Sequence, residues 1–219
     1  MNHPVTVSLE APGLSVGVVV MEGGANPGSP DALWTEIDRQ IAAVTQSGEP
    51  AEDPRRAAVR DMLRHGRYKP TGRGKPASEY LVRAAGEGAF PRINLLADVS
   101  NLVSLASRFP ISVIDLDRAG ADAFVVRFGR AGESYVFNPS GQQLDLNDLL
   151  LVATLPDDRP IATPVKDSQA TKTDSGTVRA LGVVYGPAVL SDAVAEATGW
   201  MADLLRTHGR GAVAWWMLP

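Results

Sequence analysis

The segment from Thr163 to Thr177, TPVKDSQATKTDSGT, concentrates a carboxylate, several hydroxyls and an ammonium between two apolar runs, LLLVATL (149–155) and VRALGVVYG (178–186). Asp167 can orient a water or bind a cationic amine. Ser168, Thr171 and Thr173 can donate hydroxyl hydrogen bonds, and Lys172 can offset developing negative charge or hold a phosphate. Loops on rigid scaffolds commonly carry sites. This composition favours a functional loop over a solvated hairpin.

A second concentration is cationic. Arg55, Arg56, Arg60, Arg64, Arg67, Lys69, Arg73 and Lys75 crowd one stretch in which Asp61 is the only acid. In a chain with a formal net charge of −4 this is a local asymmetry able to track a phosphate backbone. The alternative is a solvated helix face followed by a basic loop, and the sequence leaves both open.

Other chemistries lack their residues. GRGKP (72–76) has the lysine of a phosphate loop, but Pro76 stands where Ser or Thr is needed. His3, His65 and His208 are far apart and there is no cysteine, so neither a metal nor another cofactor is expected. No G-x-S-x-G elbow supports a serine nucleophile. The opening MNHPVTVSLE lacks the basic start and apolar core of a signal peptide. No apolar run approaches the roughly 20 residues that span a bilayer. The expectation is a cytoplasmic protein with no membrane partner.

The elements that must hold these residues read as follows. VTVSL and LSVGVVV form an expected opening pair of strands split by the turn APG. SPDALWTEIDRQIAAV has helical spacing through Leu33, Ile37, Ile41 and Val44. A second helix covers about Asp53 to His65 with Pro54 just inside its start. SEYLVRAAGEG is a short helix with Ser78 as its expected cap. In PRINLLADVSNLVSLASRF, residues Leu95, Val99, Leu102, Val103 and Ala106 form one stripe behind an Asn94 cap. Beyond Pro110 come short β-type runs (ISVIDL, AFVVRFG, ESYVFN, LLLVATL, IATPV, VRALGVVYG), then the helix SDAVAEATGWMADLLRTH and a closing strand AVAWWM. This order suggests α+β: a β-sandwich-like core of mostly antiparallel strands flanked by helices, in a single domain over 1–219.

Two of these stretches carry a resemblance. Pro91-Arg92-Ile93-Asn94, the helix with Asp98, Asn101 and Val103, and the run Pro110 to Asp117 form one signature. Lys166-Asp167-Ser168 followed by Thr171-Lys172-Thr173 forms the other. Over about Ala77 to Tyr185 the chain resembles the tRNA-binding and editing domain of the phenylalanyl-tRNA synthetase beta subunit, and more closely its freestanding relatives. The resemblance implies a cleft between sandwich and helix, a tRNA or aminoacyl-tRNA partner, and hydrolysis in trans of a mischarged aminoacyl ester.

On that reading Asp167, Lys172 and Thr173 are catalytic. Asn94 and Ser112 face Ser168, Gln169 and Thr171 across the substrate, while the basic stretch holds RNA. The synthetase-borne domain has a histidine where this chain has Ser112 and a glutamate near Gln169. These departures keep two alternatives open: a noncatalytic RNA-binding module, or a cleft for a free amino acid or other small molecule.

Overall fold

A computed structural model describes residues 4–47 and 53–218; His3 lies outside them. The fold is α+β, built on two four-stranded sheets that face each other. In the first, β1 (Thr6–Leu9), β4 (Ala123–Phe128), β7 (Leu150–Leu155) and β8 (Pro160–Ala162) lie in the order β1-β4-β7-β8. The second runs β10-β2-β9-β3, from β2 (Leu14–Glu22), β3 (Ile111–Asp115), β9 (Ala180–Pro187) and β10 (Ala212–Met217). A separate hairpin joins β5 (Ser134–Val136) to β6 (Gln143–Asp145).

Side-chain alternation along the strands decides which layer each residue enters. Val16, Val18 and Val20 of β2 and Leu181, Val183 and Tyr185 of β9 point between the sheets, against Phe124, Val126, Leu150 and Val152. Their neighbours Val19, Met21 and Val184 point the other way, onto helices. Those helices are α1 (Asp31–Ser47), α4 (Leu95–Ser107) and α6 (Ser191–His208). The central strands β2 and β9 are therefore apolar on both faces, which is why their runs do not alternate.

Glycine lets α6 lie against that outer face. A Cβ at Gly17 would sit 1.8 Å from Thr198 Oγ1, and one at Gly186 would sit 2.3 Å from Val194 Cγ2. Thr198 is fully buried and donates its hydroxyl to Val194 O at 2.6 Å, so it has little freedom to retreat.

Two local expectations need correction. The opening strands are not a pair: β1 runs parallel to β4 in one sheet, and β2 lies between β9 and β10 in the other. The turn at Gly13 (φ +76°) carries the chain from sheet to sheet, and its carbonyl accepts from Ala188 N at 3.0 Å. Ser78 does not cap α3 (Ala77–Gly86); Pro76 precedes the helix and Ser78 is buried in its first turn. Asp115 ends β3 and caps a short helix α5 (Leu116–Ala119), accepting from Arg118 N at 2.9 Å.

Gly17→Ala should destabilise the protein by about 1–3 kcal/mol, as overpacking does. Adding Thr198→Ala should recover part of that loss, because the clashing atoms belong to Thr198. Urea unfolding of the two single variants and the double variant measures this coupling.

Candidate functional site

The helices α2 (Pro54–Leu63) and α3 form one wall of a large cleft. Asp53 starts α2 by accepting from Arg55 N at 3.0 Å and Arg56 N at 3.2 Å, with Pro54 in the first turn. Arg60 then grips Glu79 of α3 with two hydrogen bonds, both 2.5 Å. The start of α3 is tied across the cleft's floor, where Ala77 N donates to Pro164 O at 2.9 Å. This last bond joins the basic stretch to the polar segment, two features that are 87 residues apart in sequence between Ala77 and Pro164.

The opposite wall is the polar segment with the β5–β6 hairpin. Thr163 folds the start of the segment into a turn: its hydroxyl donates to Lys166 O at 2.9 Å and accepts from Lys166 N at 3.0 Å. Tyr135 donates to Lys166 O at 2.6 Å, and Lys172 Nζ donates to Phe137 O at 2.7 Å. The Lys166 ammonium lies 4.1 Å over the Phe137 ring. Between the two walls is a volume of about 1140 Å³. Its lining holds seven cations (Arg56, Arg60, Arg73, Lys75, Arg83, Lys166, Lys172) against three acids (Glu79, Glu87, Asp167), the reverse of the chain's overall balance. Tyr80 lines it too, 59% exposed, with the Arg83 guanidinium 5.8 Å from its ring centre.

Asp167 of this lining is held by three donors. Its Oδ1 accepts from Ser112 Oγ at 2.7 Å and from Thr163 N at 3.3 Å. Among the described residues its Oδ2 accepts only from Val113 N, at 3.3 Å, which leaves acceptor capacity on that atom. Burial pushes the carboxyl up to about 6, opposed by the Ser112 hydroxyl, the two backbone donors and the Lys172 charge. Burial also raises the phenols of Tyr135 and Tyr185 well above their ordinary range, and the Asp167 charge adds to this. Both therefore stay protonated donors.

The other expected site residues divide by position. Asp167 and Lys172 line the cleft, as do Arg56, Arg60, Arg73 and Lys75. Ser168 and Thr171 are buried and commit their hydroxyls to the fold: Ser168 Oγ accepts from Ala170 N at 3.3 Å, and Thr171 donates to Ile161 O at 3.1 Å. Gln169 lies beside them in the same single 3₁₀ turn, its Oε1 buried without a hydrogen bond. Thr173 follows Lys172, half-buried and off the cleft lining.

Asn94 and Ser112 do not form the far wall, and that geometric expectation is corrected. Asn94 is a buried cap accepting from Ala97 N at 3.0 Å, while Ser112 is fully buried behind Asp167. Arg55 turns away, donating to Ser107 O at 3.1 Å with its guanidinium 5.4 Å from the Phe109 ring. Arg64 pairs with Asp61 on the exposed side of α2. Arg67 and Lys69 are exposed in the following loop and absent from the lining.

Sequence reasoning missed Tyr80, Arg83, Lys166 as a cation over a ring, and the hairpin tip. Phe137 reads as one more strand residue in ESYVFN, and Tyr80 as one side of a short helix. Their only sequence signal is an aromatic three residues before an arginine (Tyr80, Arg83), which predicts a shared helix face but not what lies opposite. Among the described residues no group of three or more His, Asp or Glu could hold a metal ion, and no helix is long and apolar enough to cross a membrane.

No protein-family model matches the chain, and no curated protein matches it in sequence. Among solved structures it is similar to an N-terminal fragment of the phenylalanyl-tRNA synthetase beta subunit from Pyrococcus horikoshii, with a TM-score of 0.52 and 11% identity. That match covers 100% of this chain and 55% of the other, so the chain spans about half the length of the fragment. At this identity the likeness is one of fold.

The raised Asp167 carboxyl has a defined effect on stability. Between about pH 4 and 6 the folded state keeps a proton that the unfolded chain has released, so stability falls as pH rises through that window. Asp167→Asn should remove this pH-dependent component whatever its effect on absolute stability. Urea midpoints across pH 4–7 check it, with the wild type losing more than the variant over the window.

Proposed function

We propose that the protein binds the aminoacylated 3′ end of a tRNA in this cleft and hydrolyses the aminoacyl ester. The observation that carries the reading is Asp167: a carboxylate fixed by three internal donors, with acceptor capacity left on Oδ2, on the wall of a cationic cleft. The fold likeness to a synthetase beta-subunit fragment supports the same partner. Size argues against a free amino acid. Small-molecule pockets run from about 300 to 1,000 Å³, and about 1140 Å³ exceeds what one amino acid fills. Two aromatic rings that each carry a cation, Tyr80 with Arg83 and Phe137 with Lys166, suit bases flanked by phosphates.

The chemistry is acyl transfer to water. Asp167 Oδ2 takes the proton of a water as its oxygen attacks the ester carbonyl. The carbonyl electrons collapse back, the bond to the ribose oxygen breaks, and the proton goes to that oxygen. Free tRNA and an amino acid result. Lys172 uses one of its three N–H donors on Phe137 O and keeps two for the developing oxyanion or a phosphate. No step is assigned to Thr173, and Ser168 and Thr171 act through the loop's shape.

A noncatalytic RNA-binding reading has one observation in its favour: the three donors on Asp167 would equally serve a purely structural carboxylate. Incubation with a panel of misacylated tRNAs separates the two. Hydrolysis is expected for at least one member, its rate rising with pH through about 6 as Asp167 ionises and then levelling. Asp167→Ala and Lys172→Ala should each slow it at least about tenfold in a folded protein. Binding without turnover across the panel would leave the noncatalytic reading.

The partner itself has a separate test. The charge reversals Arg73→Glu and Lys75→Glu should weaken tRNA binding and flatten its dependence on salt by about one unit of slope per lost phosphate contact. Filter-binding titrations at several salt concentrations read both. Salt-independent binding, or none, would exclude a nucleic-acid partner.

A further inference from the structure

Behind Asp167 lies a line of hydroxyls that runs into the core. Tyr185, fully buried on β9 between the sheets, donates its hydroxyl to Ser112 Oγ at 3.0 Å. Ser112, fully buried on β3, has one proton and two acceptors within reach, Asp167 Oδ1 at 2.7 Å and Thr163 O at 3.2 Å. Tyr185 therefore fills the acceptor side of Ser112 and leaves its single proton for onward donation, and the shorter contact is the carboxylate.

We propose that Tyr185 and Ser112 are positioning residues of the cleft, forming a donor chain that locks the Asp167 carboxylate in one orientation with acceptor capacity left on Oδ2. This deepens the reading of Asp167 as the reacting carboxylate and rests on it. The chain is directional because an ionised carboxylate can only accept: Ser112 gives its single proton to Asp167, and Tyr185 must then donate to Ser112. In a site of low dielectric such chained donors strengthen one another.

Besides the cleft's arginines, Lys75 and Glu87, the charged and titratable groups around Asp167 are these. Lys172 comes from its own segment, Tyr135 from β5 and Tyr185 from β9. Lys166 is next in sequence and stacked on Phe137. Across the cleft, Glu79 is ion-paired to Arg60. None of the phenols ionises with Asp167, so the chain's contribution is read on one carboxyl alone.

The experiment is a carbon-detected NMR titration of the Asp167 carboxyl in the full chain without ligand. Ser112→Ala should raise its proton affinity about tenfold, because the ionised form loses its shortest donor. Tyr185→Phe, which removes only the terminal oxygen, should raise it in the same direction by a smaller factor. A titration unmoved by both variants overturns the chain, and so does a shift in Tyr185→Phe with none in Ser112→Ala.

If either variant fails to fold, the wild type decides. The exchange-protected hydroxyl proton of Ser112 must show through-space contact to Asp167; its placement on Thr163 O overturns the proposal. A moved titration with no deacylation in any assay leaves the chain standing and removes ester hydrolysis. Intact deacylation with an unmoved titration removes the chain alone.

Discussion

The carboxylate of Asp167 joins two sheets that share no ladder. Through Ser112 Oγ and Val113 N it binds β3 at the edge of one sheet, and through Thr163 N it binds the chain leaving β8 at the edge of the other. Taking a carboxylate out of water costs several kcal/mol. Hydrogen bonds to a charged group return about 1.5–3 kcal/mol each when well formed, and only one of these three is short. The carboxyl settling at about 6 reflects that incomplete compensation. The sandwich closes at this corner with a group that is held firmly yet still wants a further partner.

Most of what surrounds that corner follows from keeping the polar segment rigid. Thr163, Ser168 and Thr171 spend their hydroxyls on backbone groups of the segment or of β8, which turns a fifteen-residue polar run into a shaped wall. Arg118 binds Lys172 O at 2.9 Å and pairs with Asp174, fixing the segment's far end to α5. Thr177 donates to Asp115 Oδ2 at 2.6 Å, the next buried carboxylate along β3. Hydroxyls in such a loop do not have to meet a ligand to matter, since they decide where the carboxylate and the lysine point.

Local signals were legible and long-range ones were not. Asn94 followed by the Leu95–Val103 stripe defines α4 and its cap because both depend on neighbours three or four residues away. The strand runs after Pro110 are equally local. The partner of β1 is not, since its parallel register with β4 joins Thr6 to Ala123 and nothing near Thr6 encodes it. The site split along the same line. The basic stretch and the polar segment each stood out by composition, but the bond from Ala77 N to Pro164 O that makes them opposite walls is a tertiary contact. The positions of Asn94 and Ser112 off the cleft lining are set by tertiary contacts in the same way. Each is polar within an apolar neighbourhood, and each satisfies the fold from within: one caps a helix, the other holds Asp167 from behind.

On the proposed function, the balance at Asp167 separates ligands by the charges they bring. Burial favours the neutral carboxyl, Lys172 and the three donors favour the ion, and the two sides meet at about pH 6. A ligand that brings an ammonium to Oδ2 strengthens the ion and releases the proton that remains, so binding and ionisation favour each other. A ligand that offers only phosphate engages the cations and withdraws Lys172 from the carboxylate, which pushes the other way. An aminoacylated nucleotide carries both charges on one molecule. On the proposed function it engages the basic wall and the carboxylate together, whereas a deacylated end engages only the wall.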